Sequence, residues 1–273
     1  MPLQDMFAVN GLVTLVTGGA SGLGLAYVEV MAENGARVTM LDRDRERLDA
    51  ECGRLRRAGH DVAGAAVDVT DQPLLDEAFD EVVRRCGRLD VVFANAGVDS
   101  GPGFVSGDRS QRLPQGSIAE LDPALWNKVI GVNLTSVFLT IRAAARHMKM
   151  QNSGRIIVTT SVTAFRNEAS VGIPYMPAKA GAAHLMRQAA LELARYNVLV
   201  NAIAPGPFVT NLAGPLMKDP AVQEAIGRSI PLRRVAKTEE IKGLALFLAS
   251  PASSYVTGAQ MVIDGGYQLG VAD

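Results

Sequence analysis

The chain has 273 residues, of which 48% are hydrophobic and 20% charged, with a formal net charge of −1. This charge balance excludes a surface that binds nucleic acid by neutralising phosphates, and two cysteines and three histidines without ligand spacing predict no metal site. The sequence shows neither a secretory signal nor an apolar run of ~18 residues, so we expect a cytoplasmic protein without a membrane partner.

The first predicted unit is a strand, a glycine-rich turn and a helix. The strand, Leu12–Val16, is short, apolar and β-branched, and the helix, Leu25–Asn34, is ended by Gly35. The glycines of the turn, Thr17–Gly24, let the backbone approach a ligand closely, and the start of the helix favours a phosphate. Glycines also serve any tight strand-to-helix connection, so the turn alone is weak evidence for a nucleotide.

Strands and helices alternate along the rest of the chain. Further strands are predicted at Ala36–Leu41, Asp61–Val67, Leu89–Phe93, Gly154–Ser161, Asn197–Ala204 and Ala259–Ile263. Further helices are predicted at Asp44–Ala58, Asp71–Gly87, Asp122–Met150, Tyr175–Tyr196 and Thr238–Ala249. This alternation predicts about seven parallel strands with right-handed crossovers. Because no linker interrupts it, we expect residues 1–273 to form one doubly wound α/β domain with helices on both faces of the sheet.

Two segments stand outside this alternation. Residues 98–121 form a predicted loop rich in glycine and proline, and a loop of that length is usually functional. Residues 211–228 contain Gly-Pro and Asp-Pro pairs and only a weak apolar stripe, which predicts a mobile lid over the substrate. We expect these two segments, together with residues 165–173, to line the substrate pocket.

Polar residues follow several predicted strands at the point where each strand ends. Asp42, Asp68 and Asn95 occupy such positions, and parallel sheets bind ligands at the carboxyl ends of their strands. Asp42 lies about twenty residues beyond the glycine turn, where a carboxylate accepts hydrogen bonds from a ribose and repels a 2′-phosphate. This position favours NAD over NADP. The alternative is that Asp42 only caps the next helix, and the neighbouring Arg43 could meet a phosphate.

Tyr175 and Lys179 lie four residues apart and therefore share one face of a helix. Pro177 between them requires that this helix has only just begun. The reference pKa of a phenol, ~10, is too high for a base at neutral pH, and a nearby ammonium group lowers it. Ser161, at a strand end, could orient a substrate oxygen beside Tyr175. The alternative is a solvated lysine packed over a tyrosine, because this spacing is common by chance.

Taken in order, the motifs resemble those of the short-chain dehydrogenase/reductase family, whose fold is of the Rossmann type, over nearly the whole chain. They are Thr17-Gly18-x-x-x-Gly22-x-Gly24, Asn95-Ala96-Gly97, Asn133, Ser161, Tyr175-x-x-x-Lys179 and Pro205-Gly206-x-x-x-Thr210. The resemblance implies that Tyr175 is the general acid/base and that Ser161 orients the substrate oxygen. It also implies that Lys179 lowers the pKa of Tyr175 and binds the nicotinamide ribose, while Asn133 holds a water of the proton relay.

The resemblance also implies a set of contacts with NAD. They come from Gly18, Ser21, Gly22, Leu23 and Gly24 at the pyrophosphate, Asp42 and Arg43 at the ribose, Asp68 and Val69 at the adenine, the run Asn95, Ala96 and Gly97, Tyr175 and Lys179, and Pro205, Gly206, Phe208 and Thr210 at the nicotinamide.

The predicted function is an NAD-dependent oxidoreductase that acts on the CH–OH group of a small secondary alcohol, or on the matching ketone, as a homotetramer. One alternative is an NADPH-dependent 3-oxoacyl reductase, against which Asp42 argues. Another is a non-catalytic nucleotide-binding sensor, which would not need the catalytic residues. The spacing from Ser161 to Tyr175 is one residue longer than the family's usual spacing, which leaves Thr160 as an alternative to Ser161.

Overall fold

The computed structural model describes residues 2–107, 110–210 and 217–270. Its strands are β1 (Val13–Thr17), β2 (Arg37–Asp42), β3 (Val62–Ala66), β4 (Val91–Ala94), β5 (Gly154–Thr159), β6 (Val198–Pro205) and β7 (Gln260–Ile263). All seven are parallel and form one sheet in the order β3-β2-β1-β4-β5-β6-β7. The predicted seven-stranded parallel sheet is confirmed.

Helices cover both faces of this sheet, as predicted. They are α1 (Leu3–Met6), α2 (Gly22–Glu33), α3 (Arg45–Arg57), α4 (Gln72–Cys86), α5 (Pro123–Ile130), α6 (Ser136–Gln151), α7 (Tyr175–Leu193), α8 (Pro220–Gly227) and α9 (Lys242–Ala249). Because successive side chains of a strand point to opposite faces, Val91 and Phe93 pack with α2, α3 and α9, whereas Val92 and Ala94 pack with α4, α6 and α7.

The strand order reverses between β1 and β4, and this reversal positions the site. The chain leaves β1 toward β2 and β3 on one side, then returns to β4 and continues through β5, β6 and β7 on the other. A crevice therefore opens at the carboxyl ends of β1 and β4, where the connections diverge. The glycine turn follows β1 and Asn95 follows β4, so both lie at this crevice.

The predicted helix over residues 122–150 is continuous from Pro123 to Gln151, but its middle turn is not α-helical. A π-turn at Gly131–Thr135 separates α5 from α6. The amide Nδ2 of Asn133 donates to the carbonyl of Val129 at 3.2 Å, in competition with the regular backbone bond of the helix. The stretch is long and apolar enough to cross a membrane by composition, but Val137, Ile141 and Ala144 are buried in the core.

The long loop at 98–121 is more regular than the sequence indicated. Its stretches 104–106 and 111–113 pair antiparallel through Val105 and Arg112, and Pro102 bridges to Val171. A short 3₁₀ turn follows at Pro114–Gly116. The expected lid at 211–228 lies in part outside the described residues, since 211–216 are not among them. Its described part contains α8, and the mobility of the segment stays a prediction.

Candidate active site

The glycine turn leaves the start of α2 open to a ligand. Gly22, the first residue of α2, has a φ of +55°, which L side chains rarely adopt, and a Cβ at Gly24 would collide with the carbonyl oxygen of Gly18. Ser21 caps α2 in an extended conformation without a hydrogen bond from its side chain to the first turn. Backbone N–H groups of that turn therefore remain for an anion, and the turn fits the pyrophosphate of a dinucleotide.

Asp42 is fixed beside this turn by two backbone N–H groups. Its Oδ2 accepts from the N–H of Ala20 at 3.1 Å and its Oδ1 from the N–H of Asp44 at 3.1 Å. Each carboxylate oxygen keeps a second lone pair for a ribose hydroxyl. Arg43, next in the chain, is exposed.

Asp68 and Val69 follow β3 on the same side of the crevice. Hydrogen bonds from the hydroxyl and the N–H of Thr70 hold the pKa of Asp68 below its usual range, and Arg43 contributes. Val69, the next residue in the sequence, is buried in the core. The structure thus brings the residues predicted for the adenosine half of the cofactor to adjacent strand ends.

Asn95 is engaged with the protein on both atoms of its amide. Its Nδ2 donates to the carbonyls of Thr17 at 3.0 Å and Gly18 at 3.3 Å, and its Oδ1 accepts from the hydroxyl of Thr159 at 3.1 Å. The hydroxyl of Thr17 in turn accepts from the backbone N–H groups of Asn95 and Ala96 at 3.0 and 3.1 Å. Asn95 therefore shapes the crevice by joining the ends of β1, β4 and β5.

Tyr175 and Lys179 meet at the beginning of α7, as their spacing predicts. Tyr175 is the first residue of the helix, which is why Pro177 in its first turn is tolerated. The Nζ of Lys179 lies 5.5 Å from the centroid of the Tyr175 ring and donates to the carbonyl of Thr159 at 2.9 Å. Lys179 is 3% exposed, so the alternative of a solvated lysine over a tyrosine is wrong.

Ser161, rather than Thr160, faces Tyr175. The Ser161 side chain lies close enough to that of Tyr175 to lower its pKa, and its Oγ accepts from the N–H of Thr163 at 3.1 Å. Thr160 instead donates to the carbonyl of Ile203 at 3.0 Å. The short 3₁₀ turn at Val162–Ala164, which Ser161 caps, lies in the longer spacing between Ser161 and Tyr175.

Asn133 lies behind Gly97 and close to Lys179. Its Nδ2 donates to the carbonyl of Val98 at 3.1 Å, and its Oδ1 accepts from the Val98 N–H at 3.3 Å. A Cβ at Gly97 would stand 2.9 Å from Asn133 Oδ1 and 3.8 Å from Lys179 Nζ. The π-turn thus places Asn133 near Lys179, on the other side of Gly97.

Burial shifts the pKa values of Tyr175 and Lys179 in opposite directions. Burial raises the pKa of Tyr175 to about 12, although the hydrogen bond with Ser161 lowers it in part and Asp99 adds to the rise. Burial also lowers the pKa of Lys179 to about 8. The prediction that Lys179 brings the pKa of Tyr175 below ~10 is therefore wrong for the protein alone, because burial outweighs the favourable contacts and raises that pKa.

The remaining predicted residues close the crevice from the side of β6. Pro205 ends β6, the N–H of Gly206 donates to the carbonyl of Ile263 at 2.9 Å, and Phe208 is buried. The side chain of Thr210 lies 3.6 Å from the position that a Cβ on Gly22 would take. The segment after β6 therefore passes over the start of α2. A dinucleotide bound there would contact both halves of the sheet.

A cleft of about 610 Å³ reaches the start of α7 and contains side chains that the sequence did not single out. Glu168 and Arg112 line it, and Met176, the residue after Tyr175, reaches it. Tyr267, from the C-terminal region, donates its hydroxyl to Glu168 at 2.7 Å. Isolated charged residues in loops carry no sequence signal, because only the fold brings them together. Among the described residues, no three His, Cys, Asp or Glu side chains gather as a metal site would need.

The buried ammonium of Lys179 predicts a stability effect. In Lys179→Met, the free energy of unfolding at pH 7 should rise by about 2 kcal/mol, because a charged group no longer has to be buried, although the bond to Thr159 is lost. Since the folded pKa is below the unfolded one, the gain is present below pH 8 and disappears as the pH approaches 10.5.

Urea unfolding of both proteins between pH 6.5 and 10.5 measures this effect. Lys128→Met, at an exposed lysine, is the matched control and should show no such dependence on pH. A Lys179→Met protein less stable than the wild type at pH 7 would contradict the assignment of a strongly desolvated ammonium.

The chain is similar to known proteins over most of its length. A family model described as enoyl-(acyl carrier protein) reductase matches residues 18–268. Cis-4-hydroxycyclohexanecarboxylate dehydrogenase of Sinomonas cyclohexanicum is 38% identical over 255 residues, which cover 93% of this chain and 96% of that protein.

Two solved structures extend the likeness to the whole fold. A short-chain type dehydrogenase/reductase from Mycobacterium marinum has a TM-score of 0.86 at 32% identity and covers 97% of this chain and 99% of its own. A gluconate 5-dehydrogenase from Burkholderia cenocepacia, in complex with NADP and tartrate, has a TM-score of 0.86 at 31% identity. The match covers 98% of this chain and 99% of that chain. The similarity therefore spans nearly the full length of each chain.

Proposed function

Because the chain belongs to the short-chain dehydrogenase/reductase family, we propose that it transfers a hydride between NAD and the carbinol carbon of a secondary alcohol, with Tyr175 as the general acid/base. The observation that carries the proposal is the position of Tyr175: its hydroxyl meets Ser161, its ring lies over Lys179, and Asn133 lies behind the pair. This set stands at the crevice that a dinucleotide fits.

Ser161, Tyr175 and Lys179 have separate roles in the proposed oxidation. Bound NAD supplies a nicotinamide ring that accepts the hydride, two electrons and a proton, from the carbinol carbon. Ser161 and Tyr175 hold the substrate hydroxyl between them, and the Tyr175 oxygen receives its proton as the carbonyl forms. Lys179, charged below its pKa of about 8, stabilises the phenolate electrostatically. In the reduction, Tyr175 returns the proton to the alkoxide oxygen.

The choice of NAD over NADP rests on the carboxylate of Asp42. Two backbone N–H groups aim it at the crevice beside the glycine turn, where the hydroxyls of an adenosine ribose would lie. A phosphate on the 2′ position would bring two negative charges against this carboxylate. Since one similar structure contains NADP, the relative affinity of the two cofactors needs a direct measurement.

Tyr175→Phe tests the proton-transfer role. The substitution keeps the ring and removes the hydroxyl, so kcat should fall about 10²- to 10⁴-fold while the Kd for NAD changes less than about twofold. A suitable substrate comes from a screen of secondary alcohols, polyols and hydroxy acids, followed by the absorbance of reduced nicotinamide. Tyr255→Phe, at a fully exposed tyrosine, is the matched control and should keep the wild-type kcat. Near-normal turnover by Tyr175→Phe would refute the mechanism.

Asp42→Asn tests cofactor selection. The wild type should bind NAD at least about tenfold more tightly than NADP, and removing the charge should narrow this gap mainly by strengthening the binding of NADP. Fluorescence titration of both reduced cofactors measures the two constants. Asp61→Asn removes the same charge at an exposed position away from the turn and should leave the ratio unchanged. A wild-type protein that prefers NADP would overturn the role given to Asp42.

The proposal includes a homotetramer, supported by apolar side chains on the outer faces of two neighbouring helices. Phe138 on α6 is 48% exposed and Leu191 on α7 is 78% exposed. Small residues such as Ala143 and Ala189 are buried on the inner sides of the same helices, so the exposed side chains are not needed for the internal core. A contact between subunits would remove these exposed apolar side chains from water.

Light scattering at micromolar concentration tests the assembly. The wild type should have the mass of four chains, and the double substitution Phe138→Glu with Leu191→Glu should lower it, because two charges would face an apolar partner surface. A monomeric wild type would count against the tetramer without affecting the catalytic proposal.

A further inference from the structure

The cleft beside Tyr175 has walls from two loops. One wall is formed by the paired stretches 104–106 and 111–113, called here the loop ladder, and the other by residues 167–169. The cleft, about 610 Å³ in volume, reaches Met176 at the start of α7. Met176 follows Tyr175 in α7, so the cleft begins one residue beyond the proposed general acid/base.

The loop ladder is fixed by backbone hydrogen bonds. Leu113 donates to the carbonyl of Phe104 at 3.0 Å, and Ser106 donates to that of Gln111 at 2.9 Å. The ladder also bonds to the opposite wall, since the N–H of Val105 donates to the carbonyl of Ala169 at 3.3 Å. These hydrogen bonds fix the backbone of the loop ladder against residue Ala169 of the opposite wall, so its side chains do not lie on a free loop.

Arg112 is the cation that this arrangement offers to a ligand. Its guanidinium lies 5.9 Å from the centroid of the Phe104 ring, and it makes no hydrogen bond or ion pair with the residues that the structure describes. Stacking on an aromatic ring orients a guanidinium but leaves its N–H donors unoccupied. Each of these donors can bind an oxygen of a ligand.

The acidic residue of the cleft, by contrast, is already engaged. Glu168 is 6% exposed, accepts from the Tyr267 hydroxyl at 2.7 Å and pairs with Arg166 at 3.4 Å. Its charge is compensated inside the protein, so it does not cancel the field of Arg112. The cleft as a whole favours an anionic group near Arg112.

We propose that the cleft selects secondary alcohols that carry a carboxylate, and that Arg112 binds this carboxylate. The inference rests on the proposed function and narrows its substrate class to hydroxy acids and the matching keto acids. Arginine suits the task because its planar donors match the two oxygens of a carboxylate. Binding there would anchor the far end of the substrate and leave the carbinol group to Tyr175.

The test compares two substrates that differ only in charge. 4-Hydroxycyclohexanecarboxylate and 4-hydroxycyclohexanecarboxamide share the ring and the secondary alcohol, and the wild type should show at least tenfold higher kcat/KM for the carboxylate. Arg112→Gln should lower kcat/KM for the carboxylate about ten- to hundredfold, chiefly through KM, and leave the carboxamide within about twofold. Arg112→Lys should have a kcat/KM for the carboxylate between those of the wild type and Arg112→Gln. Arg57→Gln, at an exposed arginine on α3, is the control for net charge.

Each outcome separates this proposal from the general function. An equal loss for both substrates would assign Arg112 a structural role, and a wild type without preference would refute carboxylate selection while hydride transfer stands. If neither ring compound is oxidised, calorimetric titration of the NADH-saturated protein with cyclohexanecarboxylate and cyclohexanecarboxamide decides. The proposal then requires that the wild type binds the carboxylate and not the carboxamide, and that Arg112→Gln no longer binds the carboxylate. If the wild type binds neither compound or both compounds, the proposal is overturned. Failure of the proposed function would instead appear as no change in nicotinamide absorbance with any alcohol.

Discussion

Thr159 connects the two halves of the site with two bonds from one residue at the end of β5. Its hydroxyl donates to Asn95, which in turn holds the carbonyls of the glycine turn, and its carbonyl accepts from Lys179. The turn that would hold the pyrophosphate and the ammonium that would serve the phenol are therefore fixed to the same strand end. The separation between the glycine turn and Lys179 is therefore set by the sheet and not by a loop.

The same connection explains how a charged lysine is retained in a buried place. An ammonium at 3% exposure is strongly desolvated, and one carbonyl acceptor offsets only part of that penalty. Burial disfavours the phenolate of Tyr175 as well, so both residues are disfavoured in their charged forms. A positive nicotinamide ring beside them shifts this balance toward the phenolate. Under the proposed function, binding of the oxidised cofactor would therefore favour proton loss from Tyr175.

Much of the fold and part of the site could be predicted from the sequence because they have regular signals. Apolar runs fix the strands, and a parallel sheet places their ends together, so Asp42, Asn95 and Ser161 could be assigned to one edge. The spacing of Tyr175 and Lys179 follows from helical geometry. Strand ends differ from the predictions by one or two residues, because hydrogen bonds rather than hydropathy define them.

The rest could not be predicted because it depends on contacts between distant segments. Thr159 looks like any β-branched residue in a strand, and its two bonds exist only once Asn95 and Lys179 are folded against it. The π-turn depends on Asn133, whose amide bonds a loop 35 residues away in sequence. The pairing of Val105 with Arg112 joins residues that share no periodic pattern.

The long loop at 98–121 is attached to residues 169–172 by close contacts between backbone atoms. A Cβ at Gly103 would strike the carbonyl of Ala169, and one at Gly172 would strike that of Ser100, so here main chain lies directly on main chain. The attachment therefore depends on backbone and on these glycines, and not on the identity of the side chains that face the cleft. Those side chains can be exchanged, one set for another, while the platform beneath them and the chemistry of Tyr175 stay in place. A change in the residues that face the cleft would therefore leave the backbone contacts at Gly103 and Gly172 unaltered.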